Sequence, residues 1–295
     1  MRVRVPGSGL VSTGAEAIDL GRDCVRRAIE IEFVDRSVAL ASLSFTALIP
    51  IGVVTGSILP TVGRRTLADS FIHRFRLSGD TAELVRSVFL PPEDVRSAVS
   101  VVGLVLVIVA ALSFTRALQR VYERSWRLPA LGVRGTPAGL QWLLGVILFL
   151  ALFAGVRAFL VDLAGPLIGV VVALLFSGLI WLGTPFILLS RRVDWPALVP
   201  TAALTAVSMT VLSTGSVVYM PNAIHDAAST YGQIGVAIAL LSWLVAAGFV
   251  LVCCAAVGAV VSERLGQAGS QTAREASADA PGEAPGDPGE RAESP

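Results

Sequence analysis

The stretch Leu40–Pro50, "LASLSFTALIP", is apolar enough to sit in lipid, yet it carries Ser42, Ser44 and Thr46 and ends on a proline. A soluble core helix, a targeting peptide and a membrane span can all begin this way, and the neighbouring sequence separates them. The stretch belongs to an uncharged segment covering 37–63. A bilayer core takes about 20 apolar residues, more than a buried soluble helix usually supplies. The segment also starts too late, and runs too long, for a cleaved signal peptide, behind 36 residues of mixed charge. A transmembrane helix is expected. Ser42 and Thr46 lie four apart and share a face suited to packing or hydrogen bonding against another span. Pro50 frees a backbone carbonyl in mid-span and is a candidate helix kink.

Five further stretches lack Asp, Glu, Lys and Arg: 97–115, 135–156, 163–190, 195–225 and 227–262. The composition agrees, with 15% charged residues against about 25% in a soluble domain. The expected fold is all-α: a polytopic membrane protein with six transmembrane helices, near 38–59, 97–118, 138–160, 166–190, 197–219 and 233–261. Lipid forces each spanning segment to satisfy its own backbone, and helices do so. Arginine placement orients the bundle. Six arginines precede the first span, and Arg116, Arg120, Arg124, Arg127 and Arg134 lie between spans two and three. Arg191, Arg192 and Arg264 fall on the same side. Both termini are therefore expected in the cytoplasm of a bacterial cell, with the bundle in the plasma (inner) membrane.

Between spans one and two, the apolar stripes Leu67, Phe71, Ile72, Phe75 and Leu84, Val85, Val88, Phe89 predict amphipathic helices capping the bundle. Residues 1–36 form a cytoplasmic N-terminal segment. Its first 15 residues read as loose, and 16–35 read as an amphipathic helix aligning Ile18, Val25, Ile29 and Phe33. The membrane domain covers 37–262. From 266 to 295 no large aliphatic or aromatic residue remains, so a disordered cytoplasmic tail is expected.

Several constellations carry competing readings. Thr201, Thr205 and Ser208 share one face of span five; with Ser42 and Thr46 they are a candidate polar lining for a solute or lipid headgroup. Alternatively they bond their own backbone or a neighbouring span. Gly165, Gly169, Ala173 and Ser177 form a small-residue packing stripe, within the bundle or between subunits of a homo-oligomer. Arg116, Arg120, Arg124 and Arg127 form a basic stripe, candidate contacts for anionic lipid headgroups or ordinary positive-inside topology. Glu123 is spaced to pair with Arg127. Arg157, near the outer end of span three, is a functional charge or one that reaches the interface.

Catalysis finds little support. All 23 basic residues are arginine, which removes a Schiff-base or phosphate-loop lysine. No catalytic residue, metal site or cofactor is expected, and a net charge of +1 does not point to nucleic acid. His225 and Asp226 are adjacent but lack a nucleophile or third ligand. His73 and His225 are placed in different outer loops. Cys24, Cys253 and Cys254 read as small apolar fillers.

Three stretches resemble the YihY/BrkB family of bacterial inner-membrane proteins: "ALASLSFTALIPIGVV" at 39–54, "ALQRVYERSW" at 117–126, and "YGQIGVAIALLSWLVAAGFVLV" at 231–252. The third is similar to the family's Tyr-Gly start and span-six tryptophan, here Tyr231, Gly232 and Trp243. Tyr219 falls where the family often has a tyrosine. The family's "GAE" triplet is replaced by Cys254, Ala255 and Ala256, so an ion-coupled mechanism through that glutamate does not transfer. A historical ribonuclease label finds no clustered metal ligands to support it. The resemblance implies a membrane protein that transports a lipid or small solute; the alternative is a non-catalytic scaffold supporting envelope integrity.

Overall fold

The computed structural model describes residues 8–58, 67–89, 100–164 and 166–278, with side chains for most of them. Among these, every long element is an α-helix. In chain order they are α1 (Ser8–Glu30), α2 (Phe33–Ile58), α3 (Leu67–Phe75), α4 (Gly79–Phe89), α5 (Ser100–Ser125), α6 (Thr136–Ala164) and α7 (Pro166–Leu188). A last helical run, Trp195–Ala278, is broken at Gly232 into α8 (195–231) and α9 (233–278).

The break is a hairpin. Gly232 has φ 60° and ψ −134°, the left-handed start of a type II′ turn, where glycine pays no Cβ penalty. Below it the arms run antiparallel in contact: Gly235 lies against the Ala227 carbonyl, and Gly258 against Thr201. Replacing Gly232 by alanine should cost about 1–3 kcal/mol, the usual strain of a non-glycine residue held in such a region. Thermal unfolding of the Gly232→Ala protein in detergent tests this; an unchanged midpoint would mean that the turn tolerates a side chain.

Two clusters hold the bundle. Near the α1 end, Ile31, Leu40, Val121, Tyr122, Leu189 and Leu198 join α2, α5, α7 and α8. Near the hairpin end, Phe75, Val85, Met220, Ile224, Val236 and Leu240 seat α3 and α4 on both arms. The expected cap is therefore present, with Phe71, Ile72 and Leu84 packed against that second cluster. α2 meets α9 where Ser37 touches Gly248. On α6, Phe149 and Phe153 close on Phe176 of α7, with ring centroids 5.1 and 5.2 Å apart.

Large apolar side chains also cover the outside. Leu144, Leu148 and Leu152 on α6, Leu175 and Leu179 on α7, and Val207, Val211 and Val218 on α8 are all exposed. Water-soluble monomers rarely expose so broad an apolar surface. Among the described residues, two stretches are long and apolar enough to cross a bilayer, Val105–Ser125 and Trp195–Gln267. The second contains the hairpin, so it holds two antiparallel arms rather than one rod.

Several boundaries differ from expectation. The region after 219, expected as an outer loop, stays helical to Tyr231, because the turn needs only Gly232. His73 and His225 consequently sit on helices, not loops. The tail expected to loosen at 266 continues α9 to Ala278, and α1 begins at Ser8, inside the supposedly loose first 15 residues. Gly165 and the side chains of Pro50, Arg157, Gly169 and Ala173 lie outside the described residues; Ser177 is half-buried.

Candidate functional site

The α1 end carries a dense set of charges. Arg27 is only 2% exposed. Its guanidinium donates to both Glu263 carboxylate oxygens, at 2.7 and 2.9 Å, and to the Ser125 carbonyl. Asp23 pairs with Arg264, and Glu30 accepts from Arg127 at 3.0 Å. Spaced four and three apart, Asp23, Arg27 and Glu30 make one face of α1, which lies across the ends of α9 and α5. A second pair sits beside it: Arg192 donates to Glu123 at 2.9 Å, and Glu123, 2% exposed, also accepts from Gln119 and the Leu131 amide.

The expected Glu123–Arg127 pair is therefore not formed. α5 ends in a Schellman motif, in which the Leu128 amide donates to the Glu123 carbonyl and the Arg127 amide to that of Arg124. Arg127 takes the left-handed position, φ 50°, leaves the helical stripe and turns to Glu30. Arg116, Arg120 and Arg124 stay exposed, and Arg116 also donates to Thr136 at 3.0 Å. Only Glu123 signalled this network in the sequence. Arg27, Glu263 and Arg192 did not stand out, since their partners are 236 and 69 residues away.

Two of these pairs respond to acid. The hydrogen bond from Arg264 holds the Asp23 carboxyl below its ordinary range, and that from Arg127 does the same for Glu30. A depressed carboxyl stabilises the fold above the ordinary carboxylate range and loses that contribution as pH falls through the lowered value. α1 should therefore stay docked at neutral pH and loosen below about pH 4. Hydrogen exchange of 18–30 at pH 7 and pH 3, corrected for the intrinsic rate, checks this; unchanged protection would remove these pairs from the docking.

The hydroxyls of the candidate polar lining do not converge. Thr201 and Thr205 are buried between α8 and α9, and Thr205 donates to the Thr201 carbonyl at 2.7 Å. Ser208 and Thr205 lie by the Cys254 thiol of the opposite arm. Ser42 and Thr46 are exposed on α2, where Thr46 donates to the Ser42 carbonyl at 2.8 Å. Neither set shares a described cleft with the other. Thr205 and Thr46 thus bond their own backbone, a use such residues commonly have in apolar surroundings, while the buried Thr201 hydroxyl has no partner in the chain.

The largest described cleft is elsewhere. Alongside the contact between the two arms runs a cleft of about 960 Å³, lined by residues between Val211 and Tyr231 of α8 and between Ile238 and Ala246 of α9. Its walls are mainly aliphatic and aromatic, including Gly215, Met220, Ile238 and Trp243 together with Tyr219, Asp226 and Tyr231. The Trp243 indole N–H is buried with no hydrogen-bond partner in the chain, although such donors are usually satisfied. His225 and Asp226 point to different surroundings: His225 Nδ1 lies 3.2 Å from the Thr81 hydroxyl of α4, whereas Asp226 lines the cleft. Among the described residues no group of three His, Cys, Asp or Glu could hold a metal.

The family model described as virulence factor BrkB matches residues 24–279, from the middle of α1 to the end of α9. The chain belongs to the BrkB family. No curated protein and no solved structure matches it. BrkB membership agrees with the exposed apolar belt in making this an integral membrane protein. The BrkB-like Tyr231, Gly232 and Trp243 lie at the hairpin turn and in the cleft wall, a concentration that the linear motif did not disclose.

Proposed function

We propose that the chain is a six-span protein of the bacterial inner membrane, with both termini cytoplasmic, and that its hairpin cleft takes one lipid molecule for transport or transfer. The cleft carries this reading. Its lining is apolar over most of its length, with Asp226 and Tyr231 at the turn end, so one part suits an acyl chain and the other a headgroup. Asp226 disfavours an uncompensated phosphate and favours an amine- or hydroxyl-bearing headgroup. In this reading the protein is not an enzyme.

Filling the cleft tests it. Gly215 has open space around its Cα, so Gly215→Trp should fold normally while occupying the cavity. A phospholipid with a photoactivatable acyl chain should label the wild-type arms near Trp243, and labelling there should fall at least tenfold in the variant. Equal labelling of both would sink the cleft as a lipid site.

One observation favours the scaffold reading instead. The α1 end is closed by largely buried ion pairs, and Thr201 and Thr205 are buried in the contact between the arms. A lipid that enters and leaves by the cleft is compatible with that closure; a continuous polar channel is not.

A further inference from the structure

α1 is amphipathic, but it is docked the unusual way round. Its charged face, Asp23, Arg27 and Glu30, is turned into the protein. On the opposite side Ile18, Val25 and Ile29 are 59%, 62% and 74% exposed. Phe33, expected to align with them, instead begins α2 and packs on Phe249, 5.2 Å between centroids. A shallow depression runs along the exposed face, lined by Gly21, Arg22, Val25, Arg26 and Ile29, with Glu30 at its edge. An isolated helix in water would present its charges outward; this one keeps them in ion pairs and leaves its aliphatic side uncovered.

We infer that this face is seated in an anionic bilayer surface, with Ile18, Val25 and Ile29 at the boundary of headgroups and acyl chains. The inference rests on the membrane reading above. Two observations select lipid over a protein partner. First, α2, which follows α1 directly, also exposes aliphatic side chains at Val34 and Val38, as the bundle's outer helices do. Second, Arg22 and Arg26 flank it, and the exposed Arg116, Arg120 and Arg124 share that end of the bundle. Arg22 lies 3.5 Å from Asp19 and Arg26 3.3 Å from Glu30. Exposed pairs of this kind contribute little, so a phosphate can displace either carboxylate. Apolar burial supplies the attachment, and the guanidinium groups supply the preference for negative headgroups.

Spin-label accessibility tests it in the full chain. In a background with Cys24, Cys253 and Cys254 replaced by serine or alanine, labels are placed by Val25→Cys on α1 and by Leu148→Cys on the bundle's outer belt. The protein is reconstituted in nanodiscs containing phosphatidylglycerol, or in phosphatidylcholine alone. The expected result is a Val25 label open to oxygen and closed to a water-soluble nickel chelate in the anionic discs. Nickel access should return in phosphatidylcholine, or with Arg22→Gln and Arg26→Gln in anionic discs. A nickel-open Val25 label beside a nickel-closed Leu148 label would overturn the inference. So would a Val25 label closed to both reagents, the sign of a protein occupant, or one equally closed in both lipids, which would remove the anionic preference. A nickel-open Leu148 label would overturn the membrane reading itself, and this inference with it.

Discussion

Arg192→Ala is expected to destabilise the folded bundle by about 3–5 kcal/mol, the usual penalty for stranding one member of a buried ion pair. The reason lies in Glu123. Its carboxylate is almost wholly enclosed, and Arg192 is the cation bonded to it, 2.9 Å away. Gln119 and the Leu131 amide donate to the same Oε1 but carry no charge, so they cannot neutralise it. Arg192 also donates to the Pro129 carbonyl at 2.8 Å, so its loss frees the link between α5 and α6 as well. Denaturant unfolding of the purified protein in detergent measures the effect. The double variant Glu123→Gln with Arg192→Gln should lose much less, because no buried charge is left. If the single variant unfolds with the wild type, Glu123 is reached by water and the pair is ornamental.

Gly248→Val is expected to push α2 away from α9 and cost about 1–3 kcal/mol or more, as overpacking of a closed contact does. A Cβ at 248 would stand 2.5 Å from the Ser37 carbonyl oxygen, an atom of backbone that no rotamer change can move. Ser37 is itself fully buried and donates to the Phe33 carbonyl at 2.7 Å, so the start of α2 has little freedom to yield. Gly258 makes the equivalent approach to α8, where a Cβ would lie 2.5 Å from the Thr201 Cα. Gly215→Val, by contrast, enters open space and should leave stability near that of the wild type. Comparing the melting temperatures of Gly248→Val and Gly215→Val separates close approach from helix propensity, which is the same for both. Equal losses would show that propensity alone is at work.

The helices were legible because lipid exposure and helix burial both demand long uncharged runs, and such runs are local. The cap was legible for the same reason: Phe71, Ile72 and Phe75 repeat at helical spacing, and that stripe does pack on the arms. The site was not legible. Thr201 and Thr205 look like a lining in one dimension, and only the antiparallel return of α9 shows that they face Gly258 and Cys254. Glu123 sits four residues from Arg127, yet the left-handed backbone at Arg127 redirects both partners to residues far along the chain. The sequence put the start of a last span near 233 but did not mark Gly232 as a tight turn. That the preceding arm remains helical to within one residue of it could not be read from hydropathy, since residues 220–231 are polar enough for a loop.

The length of that preceding arm has a geometric result. Residues 195–231 make a rod of about 55 Å at 1.5 Å per residue. The hydrocarbon slab it would cross is only about 30 Å thick. In the six-span arrangement proposed above, even a rod tilted by about 20° would outreach that slab, so part of the hairpin would stand beyond it.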